Sequence, residues 1–175
     1  MSVADFYPPS ALLAAIEQGL RNAEPGVLIA TRERFDAGRE QPWVLLDIER
    51  NTQAGHAIDG RRAQVLRIAL QVLVPRQAGN AAFAACDLAS RLMDVLLHNR
   101  WGWPAERCGL PAQIQALPSS FSDPQHAFDA WTLSFDQALY QGQPLLDDPL
   151  GRPLFARSWE VSNIDDPNQY RPLED

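Results

Sequence analysis

The sequence predicts an α+β fold: an antiparallel sheet with two helices packed on one face, in the order α-β-β-β-α-β-β, followed by an extended C-terminal arm. Three observations predict it. Two stretches place apolar residues at helical spacing, Leu12, Leu13, Ile16 and Leu20 in one and Ala81, Ala85, Leu88, Leu92, Val95 and Leu96 in the other. Leu66, Ile68, Leu70, Val72 and Val74 recur at period 2, as a strand with one buried face requires. The charge is segregated: residues 1–110 hold 12 Arg against 12 acids, whereas residues 111–175 hold 3 Arg against 10 acids, so the net charge of -7 lies in the last third.

Pro8-Pro9-Ser10 opens the first helix, predicted over 10–22 with Ser10 as N-cap, and Pro25-Gly26 stops it. A strand begins at Val27-Leu28-Ile29-Ala30 and runs out into Arg32-Glu33-Arg34. The next strand, Pro42 to Arg50, is apolar early and charged late. After a polar loop from Asn51 to Gly60 comes the long strand ending at Pro75, so these two strands should form a protruding hairpin. Asn80 should cap the second helix, which runs to about His98 before Trp101-Gly102-Trp103-Pro104. Strands follow around Gln113–Leu117 and Ala127–Leu139, the latter with Trp131, Leu133, Phe135 and Leu139 alternating with smaller or polar residues. The expected division is a folded domain over 1–140 and an acidic, proline-rich arm over 141–175. That arm keeps apolar anchors a disordered tail would lack, with Phe155, Trp159 and Val161 at period 2 and able to add to a sheet edge.

All 15 basic residues are arginine, which excludes chemistries built on a lysine amine such as the phosphate-loop lysine and Schiff bases. The acidic balance disfavours nucleic-acid binding, and no signal peptide or membrane-spanning segment is expected. Cys86 and Cys108 read as reduced thiols of a cytoplasmic protein; His56, His98 and His126 show no metal-ligand spacing, and no cofactor is expected. The residues offer two catalytic alternatives: Cys86 or Cys108 as a nucleophile beside His98, and a small acidic hydrolase in which Asp47 and Glu49, at i and i+2 on a strand, meet Asp129. Against the latter, charged strand ends usually guard an edge from aggregation. Arg50, Arg61 and Arg62 fall near the predicted hairpin tip and suit acidic groups of a partner.

The helix Ala11-Leu12-Leu13-Ala14-Ala15-Ile16, the stretch Pro25-Gly26-Val27-Leu28-Ile29-Ala30, the strand Ala63–Val74, the helix Ala81–Leu97 ending before Trp101, and the strand Trp131-Thr132-Leu133-Ser134-Phe135 resemble one family across essentially the whole chain. It is the tail terminator, or tail completion, family of contractile phage tails, with Mu-like prophage and R-type pyocin relatives. The resemblance implies a non-enzymatic assembly protein, made in the host bacterial cytoplasm and incorporated into the tail. It would form a homo-hexameric ring on the last ring of the tail tube protein, stop tube and sheath growth, and face a neck or collar protein. A head-tail joining or baseplate adaptor of the same machinery is the related alternative. The partner-binding residues expected on this reading are Arg50, Arg61 and Arg62 in the hairpin and Phe155, Trp159 and Val161 in the arm.

Overall fold

The computed structural model describes residues 6–57, 59–77 and 79–143, and the backbone of residues 154–155 and 171–172. The chain divides into two units, Met1–Leu145 and Leu146–Asp175. The first is an α+β domain built from α1 (Pro9–Ala23), β1 (Leu28–Thr31), a 3₁₀ turn (Arg32–Arg34), β2 (Trp43–His56), β3 (Arg62–Pro75), α2 (Ala81–Leu96), β4 (Ala112–Ser119) and β5 (Phe128–Gln141). The predicted fold class and element order hold. In the second unit β6 (Leu154–Phe155) pairs antiparallel with β7 (Arg171–Pro172).

Local chemistry sets the helix ends differently from the expectation. α1 starts one residue earlier, with extended Pro8 as the flanking residue and Pro9 at the first helical position, because proline's fixed φ suits that position and its missing N–H loses nothing there. Ser10 therefore lies inside the helix. Asn80 precedes α2 but does not cap it through its side chain: its backbone is left-handed, φ 63°, a region asparagine tolerates better than most residues. The helix stops at Leu96, short of His98, which is itself left-handed.

The five strands lie in the order β1-β2-β3-β5-β4. Every neighbouring pair is antiparallel except β1–β2, which is parallel. The 3₁₀ turn and loop after Thr31 carry the chain back before Trp43, so it re-enters in the same direction, as a parallel pair requires. β2 also continues through the stretch expected to be a loop, so the turn to β3 is confined to residues 57–61. Because His56, Arg62 and Gln141 stand in one cross-strand row, the hairpin ends level with β5 and does not protrude.

Alternation then sorts the side chains. Val44, Leu46, Leu66, Ile68, Leu70, Val72, Leu133, Phe135 and Leu139 face the helices and pack with Leu12, Ile16, Leu20, Ala85, Leu88, Leu92 and Leu96 in the main core. Each such burial contributes about 1.5–3 kcal/mol before conformational entropy is counted. Among the described residues, the opposite face is covered at one end only. There Trp43, Leu45, Leu73, Phe128 and Ala130 form a second cluster, closed by Phe35 and Phe121 in edge-to-face contacts 5.2–5.7 Å between ring centres.

Candidate protein-interaction surface

Where the aromatic cluster ends, the open sheet face becomes polar. β1 covers only Trp43–Leu46 of β2, so from Asp47 to His56 the outer edge of β2 has no strand beside it among the described residues. A bulge between Ile48 and Arg50 interrupts this edge. Ile48 still opposes Ile68 on the core face, and Arg50 opposes Arg67 on the open face, so the extra residue re-aims the charged end of the strand. A second register shift, between Ala112 and Gln115 of β4, lies in the same cross-strand row, which reads Arg50, Arg67, Asp136, Ala112. Gln113, inside that shift, has φ 53°, an uncommon value for a residue other than glycine.

Between the two bulges lies a cleft of about 620 Å³ lined by Glu49, Arg50, Arg67, Gln113, Gln115 and Asp136. Arg67 donates to Asp136 Oδ1 at 3.1 Å and to Ser134 Oγ at 2.9 Å, and Gln115 donates to the same hydroxyl at 3.3 Å. The Arg67 charge is thus compensated on the β5 side. Arg50, its cross-strand neighbour, is exposed and forms no ion pair among the described residues. Like charges directly opposite across strands are unfavourable; Asp136, in the same row, offsets the Arg67 charge, and no acid among the described residues pairs with Arg50.

Arg61 has a different fate from the one its sequence position suggested. It is 4% exposed, pairs with Asp59 at 2.5 Å, donates to the Glu106 carbonyl and lies over the Tyr140 ring. Arg61 thereby holds the Asp59 carboxyl below its ordinary pKa, chiefly through a side-chain hydrogen bond. Its guanidinium locks the β2–β3 turn onto the 100–109 loop and is not presented to a partner. Arg62 is exposed beside it and lines a smaller pocket with Phe6, Gln53, Ala63, Gln64 and Gln141. The N-terminal segment is pinned at this end of the sheet, for Gln141 accepts from Tyr7 N at 2.8 Å and donates to Tyr7 O at 2.7 Å. Arg107 stacks 4.3 Å from the Tyr7 ring centre.

The three acids of the hydrolase alternative do not meet. Asp47 opposes Ala69 and points to the open face, while Asp129 opposes Val74 on the helix-facing side and pairs with Arg76 at 3.1 Å. The two rows lie five positions apart along β3, about 16 Å of strand. Glu49 alone of the three lines the cleft. Cys108 is fully buried, and burial pushes its thiol up to about 11, the reverse of what a nucleophile needs. No group of three His, Cys, Asp or Glu among the described residues could hold a metal ion, and no helix among them is long and apolar enough to cross a membrane.

Of the arm anchors, Phe155 lies in β6, where its backbone pairs with Arg171. Trp159, Val161 and the Phe155 side chain lie outside the described residues. Sequence reasoning missed the glutamines: Gln137 breaks the apolar alternation between Phe135 and Leu139, and that break was visible. Gln137 is fully buried, accepts from Trp101 Nε1 at 2.9 Å and donates to Cys108 Sγ at 3.1 Å and Gly109 O at 3.0 Å. Compared with known proteins, the chain matches no family model and no curated sequence at a significant level.

Proposed function

We propose that the chain is a structural assembly subunit that caps the tube and sheath of a contractile phage tail, or of a phage-tail-like bacteriocin, as a homo-hexameric ring and ends its growth. The observation that carries this reading is the half-bare sheet. Among the described residues, one edge is unpaired from Asp47 onward and the adjoining face is polar, bulged and open. An independent monomer has no need to leave so long a strand uncovered, whereas a subunit flanked by identical neighbours can cover it through head-to-tail contacts that close at a fixed rotation. Arg50 supplies charge at this surface, the kind of rim group that sets register more than affinity. The resemblance to tail terminators, together with this surface, supports an end-of-tail ring among possible assemblies.

Negative-stain imaging of tails carrying labelled protein tests the assignment. Label at the head-proximal end, with overlong tubes when the gene is deleted, is the expected result. Label at the distal end would make the protein a baseplate adaptor, and label away from tails would overturn the reading.

A further inference from the structure

Two guanidinium groups face each other across the β2–β3 ladder, and only one is compensated. Arg67 is held by Asp136 and Ser134 on its β5 side; Arg50, opposite it, points from a bulge into an open cleft with no ion-pair partner among the described residues. A carboxylate in the cleft beside Arg50 would relieve the like-charge juxtaposition and could accept from the guanidinium fork. Glu49, on the same bulge, opposes a second carboxylate there, so the cleft favours a segment carrying both signs. Gln113 and Gln115 on the far wall offer amides that can pair with the backbone of an extended chain.

We infer that this cleft binds the acidic C-terminal segment of a second copy of the chain, with Arg50 taking one of its carboxylates. The charge distribution argues for this occupant. Residues 144–175 hold seven acids and three arginines, so they carry both signs with a surplus of the one Arg50 needs. Five of the chain's prolines fall in this segment and disfavour helix. The inference rests on the assembly reading in one respect, that identical subunits stand side by side. In a ring, and equally in concentrated protein, the segment of a neighbour is present at high local concentration, so an ion pair too weak to join dilute monomers suffices.

A photo-cross-linking residue placed at Thr52, exposed on the strand that carries Arg50, tests it while leaving Arg50 intact. Full-length protein is mixed from unlabelled and ¹⁵N-labelled preparations, concentrated, irradiated and mapped by mass spectrometry. The expected result is cross-links between isotopically distinct copies that end within residues 144–175. Arg50→Glu should lower their yield roughly two- to fivefold, the range of an exposed ion pair. Asp165→Arg combined with Asp166→Arg in the partner preparation should restore it, and circular dichroism should show each variant folded. Cross-links confined to one isotopic copy, cross-links to residues 112–119 of a second copy, or no cross-links would each overturn the inference. Because purified protein is used alone, failure here is distinct from failure of the tail assignment, which imaging decides.

Discussion

At Cys108 the protein holds a thiol where its charged form is disfavoured: burial raises the pKa to about 11 from an ordinary value of 9.0, although the Gln137 amide donates to the sulfur. The folded protein therefore retains this proton at pH values where the unfolded chain has lost it. Between those two values the unfolded state binds fewer protons, so stability falls as pH rises, by a total on the order of 2–3 kcal/mol. Denaturant melts of wild type and Cys108→Ala between pH 8 and 11 should show this slope only in the wild type. Below pH 8 a thiol reagent should modify Cys86 and spare Cys108 in the native state. The neighbouring Trp101 is held as tightly. A Cβ added at Gly19 would lie 2.6 Å from Trp101 Cε3, and the indole cannot retreat easily because its N–H is bound to Gln137. Gly19→Ala should lower Tm, since overpacking costs about 1–3 kcal/mol and the gain in helix propensity returns at most about 1 kcal/mol. A raised Tm would show that the ring can shift.

Among the elements, the β2–β3 turn shows how one side chain can be misassigned from its place in the chain. Arg61 and Arg62 are adjacent and chemically identical, yet one is buried and the other exposed, because Glu106 and Tyr140 come from segments 45 and 79 residues away and nothing local reveals them. Arg61→Ala should therefore destabilise the domain by roughly 1–3 kcal/mol, the cost of stranding the polar partners of a buried guanidinium. Arg50→Glu, at an exposed edge, exchanges the like-charge contact with Arg67 for one with Glu49 and should leave Tm within about 2 °C, because exposed substitutions change stability by no more than about 0.5 kcal/mol. Thermal melts of the two variants side by side check both. The same distinction between local and distant signals explains what the sequence did reveal. The alternation from Leu66 to Val74 and the stripes of both helices are local patterns, and they form as read. The parallel β1, the bulge beside Arg50 and the left-handed Gln113 depend on how distant strands meet. The cleft was legible only as a charged strand end, its far wall not at all.

For the whole molecule, what matters is that all the described core lies in one unit. The main cluster and the aromatic cluster both fall between Leu12 and Leu139, inside Met1–Leu145. Residues 146–175 form the other unit and carry seven acids, more than half of the net -7 once their three arginines are subtracted. Charge concentrated in a unit apart from the described core can act between molecules, where complementary potentials guide encounter and exclude wrong registers. Deleting residues 146–175 should therefore leave a domain whose melting temperature and near-ultraviolet dichroism match those of the full chain, while tail completion fails and overlong tubes accumulate. The two readouts separate the possible causes. A truncated domain that unfolds would mean that the segment contributes to folding, and the loss of tail completion would then carry no information about assembly. A truncated domain that folds and still completes tails at normal length would remove the segment from the assembly role altogether. Hydrogen exchange in assembled particles closes the remaining gap: slow exchange of the amides around Trp159, absent in the isolated protein, is the outcome expected if the segment docks on assembly.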